Sequence, residues 1–377
     1  MTARAAGESI TVVVVDDSSS VRAVLRRFLM RAPGVKVIGE AADGETAVEL
    51  VERLRPDLLL LDIVMPVLDG FGVLERLRRS CPVPTILLTS RADRAEVRAA
   101  FQALGSGAVE LLPKPDDPES WRLLAETLPA VIRAAAKARI PATTTSGMSA
   151  GAGTSARSAI SDAGSPVAPV TRLSSLPRFE RSGSDLVWLA IGASTGGPAA
   201  LRDLLAELPV PLPFAVLVVQ HIATGFENGL ADWLAATLGL DVRVALAGEL
   251  PAPGTVRIAP AGAHLRVGAD GRLELDTKTP ARRGHRPAVE ELFRSLREVG
   301  ATRVAAVLLT GMGTDGAEAL LALRHAGALC CAQDEESSAV FGMPRAAIEL
   351  GAAEIVLPPR AIGAEIARRV REGRDGR

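Results

Sequence analysis

Short aliphatic runs with no polar alternation recur along this chain at Thr11–Val15, Val35–Ile38, Leu58–Leu61, Thr85–Leu88 and Val109–Leu112, and each gap between them is long enough for a helix. A half-exposed strand alternates apolar and polar residues. An unbroken Val/Leu/Ile run is the pattern of a strand buried on both faces, and parallel strands need crossover helices to join them. These runs therefore predict a (βα)5 domain. The pattern restarts at Leu186–Ile191, Phe214–Val219, Val304–Leu309 and Ala328–Ala332, with helices predicted over Ala288–Val299 and Ala317–Arg324. That predicts a second, larger, doubly wound and mostly parallel α/β domain. Shorter runs near Gly and Pro, at Val242–Leu246, Thr255–Ile258, Leu265–Val267 and Arg272–Leu275, predict an appended β-hairpin region.

Between the two patterns, Ala, Gly, Ser, Thr and Pro make up 24 of the 30 residues from Pro141 to Val170. So little large apolar surface does not offset the entropy of ordering a backbone, and the segment reads as a flexible linker. The expected organisation is a first domain over 9–135, a linker over 136–184 and a second domain over 185–372.

Net charge is -1, from 43 basic and 44 acidic side chains. That balance argues against an electrostatic nucleic-acid binder. The first ten residues lack an apolar h-region, and no apolar run approaches the ~20 residues a bilayer requires. Cytoplasmic localisation without membrane insertion is expected. The three cysteines, Cys81, Cys330 and Cys331, cannot build a disulfide framework or a spaced metal site. Only four lysines occur, so a lysine in a telling place carries more weight than usual.

In open parallel sheets ligands bind beyond the carboxyl ends of the strands. Asp16 and Asp17 follow the first run, Asp62 the third, Thr89 the fourth and Pro113-Lys114 the fifth. Three carboxylates at one sheet edge repel one another unless they share a hard cation, and Mg²⁺ takes a few carboxylate oxygens while keeping several waters. With that charge neutralised, one carboxylate could attack a phosphoryl donor while an ammonium and a hydroxyl meet the transferred oxygens. Singly, each residue has a bland reading as helix cap, loop start or solvated lysine; it is their joint occurrence at successive strand ends that points to chemistry.

The stretches VVVVDDSSSVR, LLLLDIVMPVLDG, ILLTS and LLPKP resemble the receiver domains of two-component response regulators over about residues 9–130. The resemblance implies Asp62 as phospho-acceptor, Asp16, Asp17 and Asp62 as Mg²⁺ ligands, and Thr89 and Lys114 as switch residues. It also implies a cis Lys114–Pro115 bond. Leu111 stands where an aromatic switch residue is often found.

In the second domain, Gly192-Ala193-Ser194-Thr195-Gly196-Gly197 lies between a predicted strand and a predicted helix. Glycines flanking a serine there permit a tight turn that exposes the hydroxyl, the logic of a nucleophile elbow, although a helix N-cap is the bland alternative. Serine needs a base to take its proton, and His221 immediately follows another strand. The base needs an orienting carboxylate, and Val304–Leu309 leads into a Gly-rich loop containing Asp315. Gly311-x-Gly313-x-x-Gly316 also matches a dinucleotide fingerprint, with Asp334 further on, but Asp315 would set a carboxylate against the pyrophosphate.

The stretches IGASTGGPAALRDLL, VVQHIATGFENGLADWL, HRPAVEELFRSL and LLTGMGTDGAEALLALRHAG resemble the catalytic domain of the chemotaxis protein-glutamate methylesterases, the CheB family. The resemblance implies hydrolysis of glutamate methyl esters on methyl-accepting chemoreceptors and deamidation of selected receptor glutamines, with a chemotaxis histidine kinase as phosphodonor. Ser194 would be the nucleophile, His221 the general base, Asp315 its orienting group and the Met312 N–H the oxyanion donor, with no cofactor for the ester chemistry. Receiver and linker suggest docking over the catalytic site that phosphorylation relieves. The rival readings are a non-catalytic phospho-dependent scaffold and a dinucleotide-binding regulator.

Overall fold

The computed structural model describes residues 9–89, 97, 100–101, 108–115, 117–136 and 187–375; most of the expected linker, 136–184, lies outside them. The first sheet holds β1 (Ile10–Val15), β2 (Val35–Ala41), β3 (Leu58–Asp62), β4 (Thr85–Thr89) and β5 (Ala108–Pro113) in the order β2-β1-β3-β4-β5, all pairs parallel. The unbroken aliphatic runs are explained by side chains alternating across the sheet. Val13, Val15, Leu59 and Leu61 share a core with α2 (Gly44–Leu54) and α3 (Gly70–Ser80), through Val51 and Leu77. Val12, Val14, Leu58 and Leu60 pack with α1 (Ser19–Met30) and α4 (Pro118–Ala135), through Leu25, Leu29 and Leu128. Asp43, Asp69 and Asp117 start α2, α3 and α4 by accepting backbone N–H bonds at 2.8–2.9 Å.

The second sheet has seven strands in the order β14-β13-β12-β6-β7-β9-β8. They are β6 (Trp188–Ala193), β7 (Ala215–Gln220), β8 (Asp241–Val244), β9 (Thr255–Ile258), β12 (Val304–Leu308), β13 (Leu329–Gln333) and β14 (Ile355–Leu357), and every pairing is parallel. One face packs on α5 (Gly197–Leu205), α6 (Glu227–Leu238) and α10 (Pro359–Asp375), where Leu201, Leu204, Ile362 and Ile366 meet Leu189, Ile191 and Val218. The other packs on α7 (Val289–Gly300) and α8 (Ala317–His325), where Leu292, Leu296 and Leu320 meet Ala190, Leu217 and Ala306. The short α9 (Met343–Glu349) precedes β14.

Two expectations are corrected. The runs around Val242 and Thr255 are not a hairpin: β9 joins β7 in parallel and β8 joins β9 in parallel, because residues 245–254 cross back without a helix and bury Val256 and Ile258. Only β10 (His264–Val267) and β11 (Leu273–Asp276) form the appended antiparallel hairpin. Among the described residues the cis peptides are Val210–Pro211 and Arg286–Pro287, so Lys114–Pro115 is trans, and the Lys114 ammonium reaches its carboxylates with the bond in that state.

Candidate active site

β6 is the strand at which the second sheet changes direction, with β7 and β9 on one side and β12 to β14 on the other. The crevice beyond the carboxyl ends at such a switch point is the usual binding place in open α/β sheets. The central strands end level, since Ala193 pairs with Gln220 and Gly192 with Leu308. Ser194, His221 and the loop bearing Asp315 thus emerge at one rim.

His221 Nε2 lies 2.9 Å from Asp315 Oδ2. Oδ2 also accepts the Val289 N–H at 2.7 Å, and Oδ1 accepts the Glu290 N–H at 3.1 Å. These are the first N–H groups of α7, whose own N-cap, Ala288, offers no side-chain acceptor. An anion at a helix N-terminus is favourable, so Asp315 caps α7 from another element while holding the imidazole. Burial alone would raise the Asp315 carboxyl, but the bond and charge of His221 and the two N–H groups hold it below its ordinary value. With Nε2 bonded to Asp315, the other ring nitrogen, Nδ1, is buried and makes no hydrogen bond among the described residues.

Ser194 sits on the tight turn expected of it. β6 stops at Ala193, α5 starts at Gly197, and the Gly197 N–H bonds the Ser194 carbonyl at 2.7 Å. The N-cap of α5 is Gly196, at φ 76°, so Ser194 does not cap the helix. The Ser194 N–H donates to the Thr310 carbonyl at 3.0 Å, and its carbonyl accepts from Gln220 Nε2 at 2.8 Å. A Cβ on Gly311 would come within 2.6 Å of Ser194 Cβ, so the Gly-rich loop lies directly against the serine. Ser194 Oγ and His221 Nδ1 make no hydrogen bond to each other in this structure. Met312, within this loop, is exposed, and its backbone N–H has no partner among the described residues.

The structure adds residues that sequence patterning passed over. Gln220, one residue before His221, links the two strand ends by donating to the Ser194 and His221 carbonyls at 2.8 and 2.9 Å. Thr310 Oγ1 donates to the Thr195 carbonyl at 2.9 Å and accepts the Val340 N–H at 2.9 Å. The His285 ring lies 3.8 Å from that of His221 at an interplanar angle of 2°. Glu110, on β5 of the first sheet, takes hydrogen bonds from Thr195 and Gly196, the residues after Ser194, and burial pushes its carboxyl up to about 7. The Phe101 and Trp233 rings stack at 6.0 Å. The strand-end rule could have drawn attention to Gln220; no sequence periodicity signals Glu110.

At the first sheet's edge, carboxylate oxygens of Asp16, Asp17 and Asp62 lie within 4.8 Å of one another. Lys114 Nζ stands 2.9 Å from Asp16 Oδ2 and 2.5 Å from Asp62 Oδ2. Neither Oδ2 makes a hydrogen bond of good geometry, although both are buried. Burial pushes the Asp62 carboxyl up to about 6, against Lys114 and with the help of Asp16. Pairing with Asp62 and Asp16 holds the Lys114 ammonium above its ordinary value despite burial. One ammonium among three carboxylates leaves excess negative charge on hard oxygen donors, which fits a divalent cation such as Mg²⁺. Thr89 is fully buried at the end of β4.

Comparison with known proteins agrees with both halves. The CheB methylesterase family profile matches residues 189–366 and the response regulator receiver domain profile residues 12–125. The chain is 39% identical over 366 residues to protein-glutamate methylesterase/protein-glutamine glutaminase 4 of Geobacter metallireducens, covering 94% of this chain and 96% of that protein. It is also 39% identical over 371 residues to a protein-glutamate methylesterase/protein-glutamine glutaminase of Symbiobacterium thermophilum, covering 97% and 98%. The crystal structure of the Thermotoga maritima CheB methylesterase catalytic domain is 38% identical and covers 48% of this chain and 98% of that one, with a TM-score of 0.47. Among the described residues no helix is long and apolar enough to cross a membrane. With a receiver domain in front of a mostly parallel α/β catalytic domain, the chain belongs to the CheB family of protein-glutamate methylesterases/protein-glutamine glutaminases.

Proposed function

We propose that this chain is a phosphorylation-controlled hydrolase that removes methyl esters from glutamate side chains of methyl-accepting chemoreceptors and deamidates selected receptor glutamines, using Ser194, His221 and Asp315. The observation that carries the reading is the buried 2.9 Å pair of His221 Nε2 and Asp315 Oδ2, which leaves Nδ1 unpartnered at the rim where Ser194 emerges. Ser194 Oγ attacks the side-chain carbonyl carbon as its proton passes to His221 Nδ1. The carbonyl oxygen, now an anion, is met by the Met312 N–H. The tetrahedral species collapses, the C–O bond to methanol breaks, and His221 returns the proton to the leaving oxygen. Water then attacks the acyl-Ser194 ester in the same way and releases a glutamate carboxylate. General-base catalysis supplies about 10²–10⁴-fold and an oxyanion donor about 2.7–4 kcal/mol. For glutamine the same steps release ammonia.

Control enters through the first domain. Asp16, Asp17 and Asp62 would hold Mg²⁺, which when bound screens the charge between the carboxylates and an incoming phosphoryl group. An Asp62 oxygen attacks the phosphorus of a phosphohistidine on the chemotaxis kinase, the P–N bond breaks, and Lys114 and Thr89 meet the transferred oxygens. The contacts of Glu110 with Thr195 and Gly196, and of Phe101 with Trp233, support docking of the receiver beside Ser194 in the unphosphorylated state. Phosphorylation at Asp62 weakens that docking. The domain limits 9–135, 136–184 and 185–372 belong to the same reading.

Methanol release from a methylated receptor fragment, with and without acetyl phosphate and Mg²⁺, tests it. Ser194→Ala abolishes release; unchanged release in that variant returns the chain to a scaffold role. Asp62→Ala keeps basal release and loses the stimulation. A chain beginning near Asp185 is active without phosphodonor, and equal rates for it and the full chain under both conditions would remove the docking control.

A further inference from the structure

The segment from Arg282 to Glu290 closes over the His221–Asp315 pair from outside the strands that carry it. Its far end supplies the Val289 and Glu290 N–H groups to Asp315. Its near end is a two-residue hairpin turn. Arg282 and His285 exchange both backbone hydrogen bonds, at 3.0 and 2.8 Å, and the residues between them, Arg283 and Gly284, have φ of 50° and 85°. Two consecutive positive φ values are what a type I′ turn requires, and an arginine there is held against its own preference. The holding contacts are visible. Arg283 Nη1 donates to Thr314 Oγ1 at 3.0 Å and Nη2 to Glu318 Oε1 at 2.7 Å, while Arg282 pairs with the buried Glu291. Thr314 is the neighbour of Asp315, so the turn is fastened to the loop that carries the carboxylate.

The outcome of that fastening is where His285 lies: ring to ring with His221, centroids 3.8 Å apart, planes within 2°. A ring held at one nitrogen by one carboxylate can still tilt about that bond. A second flat ring against its face removes that freedom. We infer that His285 is a positioning residue for the reaction, confining the His221 imidazole to the plane in which Nε2 stays on Asp315 and Nδ1 is presented to Ser194. The inference rests on the triad reading above. Burial and the neighbouring His221 hold His285 down to about 4, so it is neutral across the working range. It therefore presents a π face and not a competing cation to the imidazolium that forms as Ser194 loses its proton.

The test uses the full chain with acetyl phosphate and Mg²⁺, assayed for methanol release from a methylated receptor fragment. His285→Ala lowers kcat by about 10- to 100-fold with KM changed less than about 2-fold, because misplacement of the base is felt in the transition state and not in substrate binding. His285→Phe keeps a flat ring and returns to within about 5-fold of the parent, whereas His285→Leu, similar in bulk but not flat, does not. Nitrogen-15 spectra report a single Nε2–H tautomer of His221 in the parent and in His285→Phe, and a mixture in His285→Ala and His285→Leu. Parent-like kcat and spectra in His285→Leu would overturn the inference, as would His285→Phe being as impaired as His285→Leu. If His285→Ala does not fold, the Phe and Leu pair still decides. Ser194→Ala is run beside them: retained activity there sinks the triad itself, whereas an inactive Ser194→Ala with a parent-like His285→Leu sinks only the role of His285.

Discussion

Val289 donates its backbone N–H to the same Asp315 oxygen that holds His221, at 2.7 Å. One carboxylate oxygen thus couples the start of α7 to the orientation of the proposed base. Asp315→Asn should keep much of the capping geometry while removing the charge that stabilises the imidazolium, lowering kcat by about 10²–10⁴-fold. Asp315→Ala should add a loss of about 0.5–2 kcal/mol in stability, since both N–H groups lose their acceptor. Steady-state kinetics beside urea unfolding separates the two, and parent-like kcat in Asp315→Asn would remove Asp315 from the chemistry.

Gly311→Ala tests how closely the loop and the serine are fitted. The added Cβ would meet Ser194 Cβ at 2.6 Å and Met343 Sδ at 2.5 Å, so something must shift. A displacement on the order of 1 Å at the nucleophile corresponds to about a 100-fold drop in kcat/KM. Parent-level activity in a folded Gly311→Ala chain would mean the loop does not hold Ser194 in place.

Glu110 gives the docking a sign with pH. Burial raises its carboxyl from 4.5 to about 7, outweighing the hydrogen bonds of Leu111, Thr195 and Gly196 that lower it, so a docked form would bind the proton more tightly than an undocked one. The contact is therefore fully present below the ordinary value and is lost as pH rises through the raised value. The ratio of unphosphorylated to phosphorylated methanol release should climb between about pH 5 and pH 8, and Glu110→Gln, which cannot ionise, should flatten that climb. A ratio with the same slope in both proteins would detach Glu110 from control.

The acidic cluster makes a prediction independent of the ester chemistry. Asp16→Asn and Asp17→Asn should raise the Mg²⁺ concentration needed for half-maximal labelling by acetyl phosphate, and Asp62→Ala should abolish labelling. Lys114→Ala should leave Asp16 and Asp62 without the ammonium now 2.9 and 2.5 Å from them, impairing the response to phosphorylation. Label persisting in Asp62→Ala would move the phospho-acceptor elsewhere.

How much was legible in the residues follows from how local each signal is. The aliphatic runs announced nearly every strand of both sheets, because burial on both faces demands unbroken apolar residues. Polar residues just after those runs marked Asp16, Asp62, Ser194 and His221, because the carboxyl edge of a parallel sheet is where a chain can gather distant residues. The same local reading took β8 and β9 for a hairpin: two short runs a few residues apart look alike whether the chain turns or crosses over, and only pairing with β7 separates the cases.

By itself, the sequence determined two parallel α/β domains and the residue types at each sheet edge, since periodicity and strand-end chemistry are written in neighbouring positions. Only the tertiary structure decided that Asp315 divides its oxygens between His221 and the first N–H groups of α7. It also decided that His285 lies flat on His221 and that Glu110 reaches Thr195. Those partners are from 25 to 94 positions apart for Asp315, and contacts over such separations come from how layers pack, which no local pattern encodes.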